Sequence, residues 1–262
     1  MADSSRQSQL KTLLTEELSE YGDLYVPRGK TVKTSPEPVF SSGSQEKIVP
    51  RVSPSQSSQS NEIMKELDSI RTLDELRDLC LVSDELKTDL EGTKLVFGIG
   101  NPEADLMIIG EAPGEQEDLQ GVPFVGRAGK LLDDILKAIQ MDRSVVYIAN
   151  ILKHRPPGNR NPSEEERRIS LPYLRKQIDL IQPKLLLCLG KIAASTLLDA
   201  DGSLSEMRGE FHTYGNAELL VTYHPAALLR NPNWKRPTWE DVQLLQKRYV
   251  ELGCKPELKP VH

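Results

Sequence analysis

The sequence has little cysteine, few aromatic residues and no long hydrophobic run. Its 262 residues include only three cysteines, too few and too scattered for a disulfide framework. No apolar run approaches the ~20 residues that a membrane-spanning helix needs. The N-terminal residues also lack the basic-then-apolar order of a secretory signal. These absences predict a soluble protein of the reducing cytoplasm.

The sequence also lacks an excess of positive charge. Lys and Arg total 33 against 39 Asp and Glu, which gives a formal net charge of −6. This excludes a uniformly basic coat for nucleic acid, although not a local basic patch. Residues 1–90 carry 11 basic and 16 acidic side chains. The acidity therefore lies mostly in the N-terminal third, and the rest of the chain is close to neutral.

Residues 1–60 do not have the pattern of a compact domain. An amphipathic helix is predicted near residues 5–21, because apolar residues recur there at helical spacing: Leu10, Leu13, Leu14, Leu18 and Tyr21. Residues 31–60 hold nine Ser and four Pro, a composition typical of a flexible linker. The helix either packs loosely on the rest of the chain, which is the interpretation we favour, or binds an unknown protein partner.

Residues 61–262 have the pattern of one α/β domain. Four short apolar runs are predicted as buried strands: Leu106–Ile109, Val145–Ile148, Leu185–Leu189 and Leu219–Thr222. Helical periodicity covers Leu131–Ile139, Pro162–Ile181, Ile192–Leu198 and Trp239–Leu252. This alternation predicts a three-layer α/β/α sandwich around a mostly parallel four-stranded sheet. Ligands of such sheets bind at loops beyond the carboxyl ends of the strands.

The loop after the first predicted strand is rich in glycine. Five glycines and two prolines lie between residues 110 and 129, so the backbone can approach a ligand closely. The loop has neither the Walker spacing nor a dinucleotide fingerprint. Phe124 stands inside it, either as a stacking platform for a planar ligand or as a plug of the core beneath the loop.

The loops after the second and fourth predicted strands are basic. Between residues 151 and 163 there are three basic side chains and no acid, and the same holds between residues 224 and 238. Such loops suit a phosphate backbone, and Trp234 in the later one suits an exposed base. Asn150 has an amide that fits the polar edge of a base, although Asn150 and Asn159 are equally typical of turn caps. His224 follows the last strand, where a lone His is more often structural than catalytic.

Four long segments carry a resemblance to a known family. They are VFGIGNPEADLMIIGEAPGEQEDLQGVPFVGRAGKLLDDIL, YIANILKHRPPGNRNP, LPYLRKQIDLIQPKLLLCLG and TYHPAALLRNP. In this order they resemble the family 4 uracil-DNA glycosylases, from about Thr93 to Leu252. The resemblance implies a DNA repair enzyme that flips uracil out of single- or double-stranded DNA and hydrolyses its N-glycosidic bond.

The resemblance also assigns residues to the base. Phe124 would stack on the flipped uracil and Asn150 would bind its polar edge, while backbone groups around Glu111 and Ala112 would line the pocket. His224 would contact uracil O2 and the charge that develops on the departing base.

Further roles concern the sugar and the DNA backbone. Better-known uracil glycosylases carry an Asp where this chain has Ala112, which leaves Glu117 as the carboxylate for the water or the sugar cation. Asn159 lies in the second polar loop of the family and is expected to be catalytic. Four residues are expected to contact DNA: Arg127, Arg155, Arg230 and Asn231. A related subgroup traps the sugar through a His in a basic insert, which this chain lacks, so we expect a monofunctional enzyme.

One departure from the family concerns its cofactor. Family members usually bind an iron–sulfur cluster through four cysteines, and the corresponding positions here are Ser83, Leu86, His154 and Ser170. We therefore predict no cluster, no metal and no other cofactor. Packing around Leu86 and hydrogen bonds from the three polar residues are expected to hold this region together.

Two further hypotheses remain open. Loss of the cluster could have accompanied loss of activity, which would leave a weak or inactive module that binds uracil or single-stranded DNA. The other hypothesis, an adaptor that acts through its N-terminal helix, is compatible with either an active or an inactive enzyme. A monomer is expected in each case, and the first hypothesis, the glycosylase, is favoured because the full set of pocket residues is present.

Overall fold

The computed structural model describes residues 63–258. The predicted helix near residues 5–21 and the linker lie outside the described residues. The first helix covers 63–69 (α1). Eight more follow: Leu73–Val82 (α2), Glu115–Gln120 (α3), Arg127–Ala138 (α4), Glu164–Ile181 (α5), Lys191–Leu198 (α6), Leu204–Met207 (α7), Pro225–Arg230 (α8) and Lys235–Glu251 (α9). Short 3-10 turns cover Asp84–Leu86, Pro157–Asn159 and Pro232–Trp234.

One six-stranded sheet forms the middle of the fold. Its strands are Ile99–Gly100 (β1), Leu106–Gly110 (β2), Tyr147–Asn150 (β3), Leu185–Leu189 (β4), Phe211–Tyr214 (β5) and Ala217–Thr222 (β6). The spatial order is β1-β3-β2-β4-β6-β5. The four central strands are parallel, and the two edge strands run antiparallel to their neighbours.

The predicted α/β sandwich is confirmed, but the sheet has two more strands than the four predicted. The second missed strand, β5, forms a hairpin with β6 across Gly215 and Asn216. Gly215 has a φ of 57°, and such a two-residue Gly-Asn connection is a recognised hairpin signal. The first missed strand, β1, has only two residues and follows no apolar alternation. Edge strands are half-solvated, so they lack the apolar runs that mark the central four.

The two faces of the sheet are covered by separate hydrophobic clusters, as the alternation of side chains along a strand requires. Met107 and Ile109 point into one cluster, with α5, α6 and α7, and Leu106 and Ile108 point into the other, with α4 and α9. A third, smaller cluster joins α1 and α2 to Tyr173 of α5. No helix among residues 63–258 is long and apolar enough to cross a membrane.

Helices α2 and α5 each begin at a capping box. Ser163 caps α5 and forms a capping box with Glu166, and Thr72 does the same for α2 with Glu75. The segments 115–120 and 225–230, predicted as loop, are instead the short helices α3 and α8. Both lie at the carboxyl ends of strands and hold residues of the candidate site.

Candidate active site

The carboxyl ends of the four parallel strands bring the predicted loops to one edge of the sheet. The loop after β2 is tied to the loop after β3, because Ile151 N–H donates to the carbonyl of Gly110 at 3.0 Å. The loops after β4 and β6 are joined in the same way, from Gly190 N–H to the carbonyl of Thr222 at 2.8 Å. The chain leaves β2 toward β3 and leaves β4 toward β6, so a crevice opens between β2 and β4, the usual place for a ligand.

Glu117 is held by the backbone of the glycine-rich loop. It lies on α3, and its Oε1 accepts from the N–H groups of Val125 and Gly126, both at 2.9 Å. The loop therefore folds back over its own carboxylate. Gly114 leaves room for this carboxylate, since a Cβ there would lie 2.7 Å from Oε2 of Glu117. The two bonds to Oε1 orient the side chain, and Oε2 takes part in neither of them.

Phe124 occupies a conformation that few non-glycine residues adopt. Its φ is 54°, in the left-handed region, which costs of order 1 kcal/mol or more and is typical of functional loops. The ring is 5% exposed and packs in the core beneath the loop, as the plug interpretation requires. The same ring also borders the site, because a Cβ on Gly110 would lie 2.6 Å from its Cζ. Gly110 thus leaves room for the ring close to the end of β2.

Asn150 ends β3 with its side chain buried at 2% exposure. Its Oδ1 has no hydrogen-bond partner among residues 63–258, which is not the arrangement of a turn cap. A buried acceptor without a donor costs about 1–3 kcal/mol, a cost that a donor on a bound ligand would remove. A Cβ on Gly110 would lie 2.3 Å from this oxygen, so a glycine at position 110 is required for the pocket.

His224 caps α8 through its own ring. Its Nδ1 accepts from Ala226 N–H at 3.2 Å, which places the proton of the neutral ring on Nε2, free to donate. Burial and, after it, the charge of Arg230 lower the pKa of His224 to about 4, while Glu117 opposes both. The imidazole is therefore neutral at physiological pH. Gly190, at a φ of 91°, provides the space behind it, since a Cβ there would lie 3.2 Å from the His224 Cβ.

Glu111 and Ala112 lie at the start of the glycine-rich loop after β2. The backbone carbonyl of Glu111 accepts from Leu152 N–H at 3.1 Å, and its side chain is half-buried. Burial raises the pKa of the Glu111 carboxyl, while Arg167 and Arg230 pull it down. Ala112 packs against the first core cluster, so it offers only backbone to a ligand.

The structure does not join Asn159 to the buried group of Phe124, Asn150 and His224. Asn159 is exposed on the Pro157–Asn159 turn. Its Oδ1 accepts from Nε of Arg155 at 2.8 Å, so two of the predicted site residues are hydrogen-bonded to each other. A direct role of Asn159 in the chemistry stays a prediction.

The predicted DNA contacts lie around the same edge of the sheet. Arg127 begins α4 and is exposed, as is Arg230 at the end of α8. Asn231 accepts from Asn233 N–H at 3.2 Å, so its oxygen serves a turn. Trp234 is 37% exposed and stacks on Tyr223 with ring centroids 4.9 Å apart and planes at 13°, which leaves its other face outward.

A network of hydrogen bonds that the sequence does not indicate supports the loop after β6. Thr222, at the end of β6, donates to Asp241 of α9 at 2.7 Å. Arg208 forms a two-pronged pair with the same carboxylate at 2.9 and 3.0 Å, and its guanidinium lies 5.4 Å from the ring of Tyr223. These contacts flank His224 on its N-terminal side. No sequence signal links positions 208, 222 and 241, because the network is purely tertiary.

The four positions that correspond to cluster cysteines are all buried. Ser83 donates to the carbonyl of Leu79 at 2.8 Å and accepts from the Tyr173 hydroxyl at 3.0 Å. The Nδ1 of His154 lies 3.0 Å from the hydroxyl of Thr93. Leu86 packs in the third core cluster, and Ser170 is buried on α5. Iron–sulfur clusters need thiolates, so these residues do not fit one. Within residues 63–258 no group of three or more His, Cys, Asp or Glu side chains could hold a metal.

Comparisons with known proteins agree on one family. The family model of the uracil DNA glycosylase superfamily matches residues 97–243. The Type-4 uracil-DNA glycosylase of Sulfurisphaera tokodaii is 42% identical over 174 residues, which cover 63% of this chain and 77% of the relative. The Type-4 uracil-DNA glycosylase of Archaeoglobus fulgidus is 43% identical over 156 residues, which cover 56% of this chain and 78% of the relative. The Type-4 uracil-DNA glycosylase of Thermotoga maritima is 39% identical over 158 residues, which cover 59% of this chain and 82% of the relative.

Proposed function

Because the chain belongs to the uracil DNA glycosylase superfamily, we propose that the residues at its sheet edge bind a flipped uracil and hydrolyse the bond to deoxyribose. The protein is a uracil-DNA glycosylase of DNA repair, a hydrolase acting on N-glycosidic bonds. The observation that carries the proposed site is the unpaired, buried oxygen of Asn150 beside Phe124. An acceptor in that position matches the N3–H donor of uracil.

Recognition of the base rests on Asn150 and Phe124. The amide of Asn150 both accepts and donates, so it pairs with N3–H and O4 of uracil, the two groups by which uracil differs from cytosine. Phe124 provides an aromatic face for the planar base. Gly110 lies beside both side chains and leaves no room for a Cβ between them.

Departure of the base depends on His224. When the bond breaks, negative charge develops on uracil, and a positioned donor stabilises it. The Nε2–H of a neutral imidazole is such a donor, and the hydrogen bond from Ala226 N–H to Nδ1 fixes this tautomer. With a pKa of about 4, the ring stays neutral at physiological pH.

Glu117 serves the other half of the reaction. Its carboxylate is oriented by two backbone donors, and its charge opposes the lowering of the His224 pKa. We assign to it the orientation of the attacking water and the stabilisation of the sugar cation. Asn159 is proposed to assist from the neighbouring turn after DNA binds.

The DNA backbone is proposed to lie along Arg127, Arg155, Arg230 and Asn231, in either a single or a double strand. These residues surround the sheet edge rather than the core, as backbone contacts do. Cytoplasmic location, a monomeric state and a protein partner for residues 1–60 stay predictions.

The proposed enzyme works without an iron–sulfur cluster. The corresponding positions offer two hydroxyls, one aliphatic side chain and one imidazole in place of four thiolates. The nearest cysteine in sequence, Cys80, has a thiol whose pKa burial raises to about 11, so it stays protonated and is a poor ligand. Packing and hydrogen bonds take the structural place of the cluster.

A strand-cleavage assay tests the proposal. The full chain is incubated with single- and double-stranded oligonucleotides that carry one uracil, and alkali then cleaves at abasic sites. We expect cleavage at uracil, none in a matched thymine oligonucleotide, and no strand break before alkali. Tight binding of uracil DNA without release of the base would instead support the binding module.

A further inference from the structure

A lysine is fully buried next to the strand that carries Asn150. Lys153 has 0% exposure and lies three residues after Asn150. Its Nζ donates to the backbone carbonyl of Asn150 at 3.0 Å, to Oε1 of Gln177 at 2.5 Å and to the carbonyl of Phe97 at 3.4 Å. Gln177 also donates to the carbonyl of Phe97 at 3.0 Å. The ammonium thus joins the end of β3 to α5 and to the segment before β1.

No acid in the described part of the chain balances this charge. Among residues 63–258 no carboxylate lies within 4.0 Å of the Lys153 ammonium, since it takes part in none of the ion pairs there. Buried charges are normally paired, because their removal from water is costly. Three carbonyl-type oxygens satisfy the donors here, but they leave the net positive charge in place.

As the pH rises, Lys153 loses its proton before the neighbouring thiol of Cys80 and phenol of Tyr147 lose theirs. Burial lowers the pKa of Lys153 to about 8. Cys80 faces it from α2, and Tyr147 lies on β3; burial raises the pKa of that thiol to about 11 and of that phenol to about 12. The charges of Arg77 and Glu85 act on Tyr147 and on Cys80, respectively.

We propose that Lys153 is a positioning residue of the glycosylase, which fixes Asn150 through its backbone carbonyl and supplies a buried positive charge that favours the departing uracil anion. The inference rests on the proposed role of Asn150. Two features carry it: the direct bond from Nζ to the Asn150 carbonyl, and a charge that has no ion-pair partner among residues 63–258. In an interior of low dielectric, such a charge acts beyond contact distance.

A merely structural lysine would predict different behaviour. Its loss would lower the unfolding temperature and leave kcat, KM and the pH profile of the folded enzyme unchanged. A positioning lysine affects the chemistry of folded protein. Because the charged form is the active one, the rate should fall as the pH rises through the pKa of Lys153, and a neutral side chain should remove that dependence.

The experiment measures single-uracil release across pH 6–10 for the wild type, K153M and a control. Wild-type kcat is expected to fall above pH of about 8. K153M keeps an unbranched side chain only one atom shorter, and we expect about a 100-fold loss in kcat/KM, mostly in kcat, with no fall in rate near pH 8. The control is Q246M, because Gln246 is a buried side chain that donates to the carbonyl of Ile139, away from the pocket. For Q246M we expect wild-type rates and the same fall in kcat at alkaline pH as in the wild type.

A second variant keeps the lysine. Q177M removes one acceptor of the ammonium, which disfavours the charged form and should move the alkaline limb to lower pH. Thermal unfolding shows which variants are folded. An active wild type with a flat profile up to pH 10, or folded K153M with wild-type kcat/KM, would overturn the role of Lys153. A wild type that releases no uracil at any pH would instead overturn the proposed function.

Discussion

The imidazole of His224 and the ring of Phe124 are neighbours, with centroids 5.6 Å apart and planes inclined by 30°. The two residues lie 100 positions apart in sequence, on loops that follow β6 and β2. A planar base that stacks on Phe124 therefore has an edge next to His224. Recognition and leaving-group stabilisation thus share one pair of rings, so a change in either ring should affect both steps.

The neutral state of His224 predicts a particular pH dependence. Since burial holds its pKa near 4, the donor form of the ring persists well below the ordinary His pKa of about 6.5. We expect kcat/KM for uracil release to show no acidic limb near pH 6.5. Steady-state rates between about pH 5 and 7.5 measure this.

The control for this prediction is H224A. Without the donor, kcat should fall by about 100- to 1,000-fold across the same range, with a profile of unchanged shape. A wild-type acidic limb centred near pH 6.5 and absent from H224A would show instead that the imidazole keeps an ordinary pKa in the folded enzyme and is protonated below it.

Two substitutions of Glu117 separate its charge from its structural bonds. E117Q keeps an oxygen that accepts from Val125 and Gly126 N–H, so the loop should keep its conformation while the negative charge is lost. We expect kcat to fall by about 10²-fold or more with KM nearly unchanged. E117A loses the charge and both bonds, and should also raise KM and lower the unfolding temperature. Equal thermal stability of the two variants would argue against the loop-holding role.

Much of the fold could be predicted because its signals are local. The apolar runs that became β2, β3, β4 and β6 are fully or nearly fully buried, and buried parallel strands have a plain signature. Strand β1 could not be predicted, since two residues carry no periodicity. The same holds for α7, whose four residues are stabilised by the box of Ser203 and Glu206 rather than by an apolar face.

The site was predictable to the extent that it lies at strand ends. Asn150 and His224 follow buried strands, and parallel topology alone brings such positions to one edge. The state of each group was not predictable, because it depends on tertiary contacts. The neutral ring of His224 requires burial beside Arg230, and the orphaned oxygen of Asn150 is visible only when its surroundings are known.

Asn150 should show opposite effects on activity and stability. Its buried Oδ1 has no donor among residues 63–258, so N150L removes an unsatisfied acceptor and replaces it by an apolar group of similar size. Such a change is nearly neutral or stabilising, while the pocket loses the group that pairs with uracil. We expect an unchanged or higher unfolding temperature with at least about a 100-fold loss in kcat/KM. Marked destabilisation would show that the amide has a structural role instead.

The two glycines Gly110 and Gly215 give a matched pair. G110A places a Cβ 2.3 Å from Oδ1 of Asn150 and 2.6 Å from Cζ of Phe124, so both side chains must move. We expect uracil release to fall by about 10²-fold. G215A lies on the β5–β6 hairpin with nothing within 4 Å of the added Cβ. Its left-handed φ makes it mildly destabilising, with unchanged activity. Equal loss of activity in both would attribute the effect to stability alone.

The region around Leu86 should behave as a hydrophobic core and not as a metal site. Leu86 is 2% exposed and packs in the third cluster with Leu76, Phe97 and Tyr173. L86A should therefore lower the free energy of unfolding by about 2–5 kcal/mol. The purified wild type should show no thiolate–iron absorption, and a chelator should change neither its unfolding temperature nor its rate. Stoichiometric iron in the wild type, lost together with stability in L86A, would show instead that this region holds a cluster through ligands other than the four aligned positions.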